Sequence, residues 1–239
     1  MDSYGTGPTG HVNAPEAYSV TRTGSMRVGV LGSGSVGQAF GSALIRLGHP
    51  AKLGSRTPKS PALTAWVSRI GASASAGTFA EAAAFGEVIA LATFGMATGE
   101  AIDLAEASNF DGKVVIDITN PLVHAEGGAP TLGVGFTDSL GEQNQRRLPG
   151  ARVVKAFNSV GAPHFFHPQL PGGPPTMFLC GNNAEAKATV SGLISDFGWT
   201  PLDVGGIEMS RVLEPLCILW VAAAMKLGSW DIAFRVLRK

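Results

Sequence analysis

The stretch that most constrains this chain is residues 26–56, MRVGVLGSGSVGQAFGSALIRLGHPAKLGSR. Residues 26–31 form a short apolar run with valines at 28 and 30, as expected of a parallel strand buried on both faces. Gly32, Gly34 and Gly37 then spell G-x-G-x-x-G, with Ser33, Ser35 and Val36 between them. In such a turn the first glycine permits the tight reversal and the second lets backbone approach a pyrophosphate. The third lets the following helix pack close to the strand. Val36, Phe40, Leu44 and Leu47 recur at helical spacing, and Gly48 closes the helix. A helix placed this way aims free N–H groups and a partial positive charge at whatever sits over the turn. The motif alone is weak. Its position after a strand, opening a helix and followed by a second strand, makes it a dinucleotide-binding signature; the alternative is an ordinary glycine-rich turn.

The end of the second strand bears on which dinucleotide is taken. NAD sites usually carry an acid about 20 residues past the first glycine, bonded to the ribose 2′-OH. Residues 51–60, AKLGSRTPKS, contain no acid. Ser55, Arg56 and Lys59 can instead surround a 2′-phosphate, with Arg as a planar fork and Lys as a point charge. Thr57 as N-cap with Pro58 at the first helical position would start another helix beside that phosphate. The pattern favours NADP(H); the other reading is a solvated loop with two surface cations.

These residues, together with VKAFNSV at 154–160 and DVGGIEMSRVLEPL at 203–216, resemble the NADPH-dependent coenzyme F420 reductase family. The wider group is called F420-dependent NADP oxidoreductase-like, and it includes the cytosolic reductase modules of six-transmembrane ferric reductases. The resemblance runs from about residue 26 to the C-terminus. It implies a Rossmann-type, doubly wound, mostly parallel α/β sheet with a helical C-terminal extension. It also implies NADP(H) as cofactor and coenzyme F420 as acceptor or donor, a hydride moving between the nicotinamide C4 and the deazaflavin C5. One departure is Asn158, near a place where archaeal members carry a His.

The 239 residues, 45% of them hydrophobic, suffice for one α/β domain. It is expected over residues 26–239, with 26–160 as the dinucleotide-binding core and 161–239 supplying the acceptor side and an oligomerisation surface. Eighteen basic and eighteen acidic residues balance, and no basic stripe points to nucleic acid. Residues 1–25 are polar and rich in Gly, Pro and Thr. They read as a disordered arm rather than a signal peptide. The longest apolar run, 216–225, is shorter than the roughly 20 residues a bilayer requires, so no membrane segment and a cytoplasmic location are expected. Cys180 and Cys217 lie in apolar runs and read as buried free thiols.

Further along, polar residues end several apolar strands. Thr93, Phe94 and Gly95 follow the strand at 87–92, on the edge where open α/β sheets bind ligands. They either touch the cofactor near its nicotinamide ribose or form a plain connection. The strand at 113–118 ends in Thr119-Asn120-Pro121, where Pro121 keeps Asn120 out of helix; the resemblance places this Asn-Pro turn beside the nicotinamide. Asn158, Ser159 and Val160 leave the strand at 152–157. Residues 122–136 read as a mobile glycine-rich loop over the site. Candidates for the wall facing a flat ring are Phe94, Asn158, Val160, Gly206 and Ile207. His164 and His167 lack further ligands at metal spacing, so they are expected to pack on Phe165 and Phe166. Residues 209–227 form a helix apolar on more than one face. It either meets a second copy in a homodimer or higher homo-oligomer, or lies in the core of a monomer.

No acid–base, nucleophile or metal constellation stands out, so no catalytic side chain is nominated. That suits hydride transfer between two bound rings, which the protein aligns to about 3–3.5 Å and keeps dry. The competing readings are reduction of a free flavin or ferric species, reduction of a small imine or carbonyl, and a non-catalytic NADP(H) sensor.

Overall fold

The computed structural model describes residues 24–124 and 128–239. The arm expected over residues 1–25 therefore lies, apart from its last two residues, outside the described residues. Within them, short runs of small and branched apolar residues form the strands β1 (Val28–Leu31), β2 (Ala51–Gly54), β3 (Ala74–Gly77), β4 (Val88–Leu91), β5 (Val114–Asp117) and β8 (Arg152–Lys155). They pair in parallel in the order β8-β5-β4-β1-β2-β3. β1 and β4 are buried at every residue, as strands covered by helices on both faces must be. Beyond β8 the sheet continues with β9 (Thr176–Gly181) and β10 (Thr200–Asp203). β9 runs antiparallel to β8, and β10 is parallel to β9. The result is the doubly wound α/β architecture, extended by a reversed pair of strands.

Helices α1 (Ser35–Arg46), α2 (Pro61–Ile70) and α6 (Ala184–Asp196) cover one face; α3 (Phe79–Phe85), α4 (Thr98–Leu104) and α5 (Leu140–Arg147) cover the other. The first face holds Phe40, Phe157, Phe165 and Phe197, with ring centroids 5.2–5.9 Å apart. This edge-on and tilted cluster locks α1 against the last third of the chain. The second face buries Leu31, Ile89, Leu91, Ile102, Phe110 and Val153. The final helix, α7 (Ser210–Leu227), ends at Gly228 in the left-handed conformation, a common helix stop.

Local chemistry explains most boundaries. Thr78 and Glu81 form the reciprocal capping box at the start of α3, and Asn183 caps α6 by accepting from the Ala186 N–H. Three expectations need correction. Thr57-Pro58 does not open a helix: the Ser55 hydroxyl accepts the Thr57 N–H, residues 57–60 turn, and α2 begins at Pro61 after Ser60. The sequence predicts a helix over residues 97–109, but α4 stops at Leu104, and Glu106 at φ 63° separates it from a 3-10 turn, Ala107–Phe110. Residues 122–136 are not all loop, because β6 (Leu122–Val123) and β7 (Thr131–Leu132) pair antiparallel. Residues 125–127, between β6 and β7 in the sequence, lie outside the described residues.

Candidate functional site

The glycine turn is built as its spacing dictates. Gly32 sits at φ 132°, and its N–H donates to Gly54 at the end of β2. At Gly37 an added Cβ would overlap the Gly32 carbonyl, so glycine there is what lets α1 press onto the turn. Gly34 is different. Its φ of −73° suits any residue, and an added Cβ would meet nothing within 4 Å. The fold does not require glycine at 34; a ligand that approaches the backbone does. Gly34 caps α1 without a side chain, so the first-turn N–H groups remain open to an anion. Gln38 donates from Nε2 to the Ser33 carbonyl at 2.9 Å, holding the turn from within the helix.

A cleft of about 230 Å³ opens over this turn, lined by Gly32, Ser33, Gly34, Ser55, Arg56, Thr93, Phe94 and Glu100 among others. Ser55 is buried and bonded to Ser33, Oγ to Oγ at 3.2 Å. Arg56 is exposed at its rim. Lys59 lies in the 57–60 turn and does not line the cleft. The expected absence of acid holds for the sequence after β2 but not in space. Glu100, 44 residues after Arg56, brings its carboxylate within 3.8 Å of the guanidinium.

The strand ends converge as expected on the carboxyl edge of β4, β5 and β8. Thr93 shares a 2.9 Å hydrogen bond with Thr98, hydroxyl to hydroxyl. Gly95 lies directly against the Asn120 carbonyl, where an added Cβ would overlap it. Asn120 donates from Nδ2 to the Asn158 backbone carbonyl at 2.8 Å. Asn158 returns a bond from its own Nδ2 to Asn120 Oδ1 at 2.9 Å and also reaches the Leu213 carbonyl at 2.7 Å. Two backbone acceptors thus fix both amide orientations. Pro121 is buried, and its carbonyl accepts the Gly133 N–H, pinning the small hairpin to this edge. Beside it Phe94 is 54% exposed, with its ring parallel to His124 at a centroid distance of 6.3 Å. Met96 and Phe136 add further exposed apolar surface.

The remaining expected wall residues fall elsewhere. Val160 is half-buried against the first apolar cluster. Gly206 and Ile207 follow β10, which runs opposite to β8 through the antiparallel β9. They therefore emerge toward the amino edge of the parallel strands, and Ile207 is buried with Leu148, Ala151 and Val153. A strand reversal that the sequence does not announce moves them off the cleft. His164 bonds Asp231 at 2.8 Å, and His167 sits edge-on to Phe166 at 4.4 Å.

Sequence reasoning missed the densest charge cluster. The Lys155 ammonium is fully buried between Asp117 Oδ2 at 3.1 Å and Glu214 Oε1 at 2.8 Å, and both acids are buried too. Asp117 also accepts from the Thr119 N–H and hydroxyl and from Asn144. Glu214 accepts the Leu140 and Gly141 N–H groups at the start of α5. Burial alone would push the Lys155 pKa down; the two carboxylates outweigh it and hold it above the ordinary value. Alongside, burial pushes the Cys180 and Cys217 thiols up to about 11, so neither is reactive at neutral pH. The available signal was an aspartate and a lysine that each continue an apolar strand run, Asp117 after residues 114–116 and Lys155 after residues 153–154: a buried charge demands a partner.

Comparison with known proteins supplies a family for this geometry. The family model described as NADP oxidoreductase coenzyme F420-dependent matches residues 27–121. A candidate F420-dependent NADP reductase of Arthrobacter sp. FB24 is 37% identical, superposes with a TM-score of 0.85, and matches over 90% of this chain and 100% of its own. The metalloreductase STEAP3 of Rattus norvegicus is 32% identical over 201 residues, which is 80% of this chain and 36% of STEAP3. This chain thus spans well under half of the length of the metalloreductases it matches, and no described helix is long and apolar enough to cross a membrane. An imine reductase of Aspergillus terreus in complex with NADPH4 and dibenz[c,e]azepine shares the fold at a TM-score of 0.61 with 18% identity, over 86% of this chain and 64% of its own. The glycine turn, the converging strand ends and a likeness that spans a whole related chain place this protein in the F420-dependent NADP oxidoreductase family.

Proposed function

We propose that the protein binds NADP(H) across the glycine turn and passes a hydride between its nicotinamide and a flat ring acceptor, with coenzyme F420 the first choice. The observation that carries this reading is Gly34: glycine where the fold needs none, at an uncapped helix start, in a cleft whose rim carries Arg56. The α1 N–H groups hold the pyrophosphate. Ser55 and Arg56 hold the 2′-phosphate, Arg56 as a fork. Lys59 acts only as a distant positive charge.

NADPH supplies the hydride, and the protein needs no proton donor at the reacting carbons. Its own contribution is alignment and exclusion of water. The Asn120–Asn158 pair, fixed by backbone carbonyls, gives the nicotinamide end a rigid floor at the carboxyl edge. Phe94 and the nearby Met96 offer the exposed apolar and aromatic surface a flat ring would cover. The F420-dependent NADP reductase and the metalloreductases agree in reduction and differ in acceptor, so the acceptor rests on this surface and on the family.

The deciding experiment titrates the protein with NADPH and NADH, then mixes the NADPH complex with oxidised F420 and, separately, with FMN. Bleaching of the F420 band with matching NADPH consumption is expected. Turnover with FMN alone would replace F420 by a free flavin. Tight NADPH binding with no turnover on either would leave a sensor or a small imine or carbonyl reductase.

The same reading assigns a second copy of the chain to α7. Val212 and Leu219 are each 56% exposed and, with Phe178 and Leu216, line a nearly wholly apolar groove of about 370 Å³. Sedimentation equilibrium should give a dimer mass that Leu219→Glu reduces to a monomer.

A further inference from the structure

Arg56 and Glu100 reach the cleft from different strand ends. Arg56 stands in the turn after β2, and Glu100 in the first turn of α4, which follows β4. Their side chains meet across the mouth of the cleft at 3.8 Å, and both remain largely exposed, at 69% and 60%. Glu100 sits in the first turn of α4, where a helix N-terminus favours an acid whether or not a ligand is bound. Arg56 is its only cationic partner among the described residues. The neighbouring Arg147 is already engaged by Asp103. The pair is therefore loose, solvent-screened and easily exchanged.

Resting on the NADP(H) reading, we infer that Glu100 is a specificity-tuning residue that competes with the cofactor 2′-phosphate for the Arg56 guanidinium. In the free protein the carboxylate draws the fork across the cleft mouth. When NADP(H) enters, Arg56 exchanges one anion for another, and the phosphate prevails because it carries more charge and more acceptor oxygens. A cofactor without the 2′-phosphate leaves the pair intact. Glu100 thus weakens NADPH binding, leaves NADH binding alone, and narrows the gap between them.

The test is calorimetric titration of the full chain with NADPH and with NADH, for the wild type, Glu100→Gln, Arg56→Gln and the double variant. Glu100→Gln should tighten NADPH about two- to fivefold, the range an exposed ion pair carries, with NADH unchanged. In the Arg56→Gln background that gain should vanish. If Arg56→Gln weakens NADPH but Glu100→Gln does nothing, or shifts both cofactors equally, the competition is overturned while the NADP(H) site stands. A gain that persists without Arg56 also overturns it, since Glu100 would then repel the phosphate directly. If Arg56→Gln leaves NADPH affinity unchanged, the phosphate assignment itself fails and takes this inference with it.

Discussion

The two ends of the proposed NADP(H) site are built from different materials. At the glycine turn the groups proposed to recognise the cofactor are mostly backbone: N–H groups of α1, a glycine that leaves room, and one exposed arginine at the rim. At the far end they are side chains in a buried polar lattice, in which Asn120 and Asn158 lock each other and Leu213 ties them to α7. Three residues before Asn158, Lys155 joins Asp117 to Glu214. A backbone site can lose affinity without losing the fold. A buried lattice cannot lose a member without leaving a charge or a polar group unpaired. The two ends should therefore fail differently.

The largest effect is expected at Lys155. Lys155→Met leaves Asp117 and Glu214 buried without their cation, and removing one partner of a buried pair costs about 3–5 kcal/mol. Urea unfolding should show that loss, or no folded protein at all. A loss under about 1 kcal/mol, the scale of an exposed pair, would mean that water reaches the lattice and the contrast between the two ends is false.

Arg56→Glu should do the reverse. It replaces a phosphate fork with a repelling charge, so NADPH affinity should fall by about tenfold to several hundredfold. NADH affinity and the urea midpoint should not move, because Arg56 is exposed and makes only one loose contact. Unchanged NADPH binding would remove the phosphate assignment.

The glycines sharpen the comparison within one motif. Gly37→Ala drives a methyl group into the Gly32 carbonyl and should destabilise by about 1–3 kcal/mol, as overpacking does. Gly34→Ala meets no protein atom in the free chain, so stability should shift by under about 1 kcal/mol, a cap-residue effect. Its NADPH affinity should still drop by about tenfold, one well-placed charged hydrogen bond or more. Equal loss of stability in both variants would show that Gly34 serves the fold after all.

What was legible in the sequence follows the same division. Strand, turn and helix around Gly32, Gly34 and Gly37 are local, and local spacing encodes them. The strand ends at Thr93, Asn120 and Asn158 were placed correctly because a parallel sheet puts every carboxyl end on one edge. That rule failed at Gly206 and Ile207, since the antiparallel pairing of β8 with β9 depends on contacts far apart in sequence. The Arg56–Glu100 contact and the Lys155 cluster were hidden for the same reason: Glu100 is 44 residues from Arg56, and Lys155 is 38 and 59 residues from its two acids, and nothing local announces the meeting.

The smallest effect sets an exposed charge against a buried one at the start of α5, where Glu214 of the Lys155 cluster accepts the Leu140 and Gly141 N–H groups. Asp138, just before α5, accepts from Arg146 at 2.8 and 3.0 Å and from Gln143 at 3.0 Å; Arg146 foremost holds its carboxyl down at about 2. The folded value lies below the unfolded one of about 3.9, so the contribution is complete above that value and disappears as pH falls toward 2. The pair is largely exposed, so its size is that of a surface ion pair, under about 1 kcal/mol. Asp138→Asn should therefore lower the melting temperature slightly at pH 7, with the gap closing between pH 4 and pH 2. A gap that persists at pH 2 would show that the side chain acts through its shape at the start of α5 rather than through its charge.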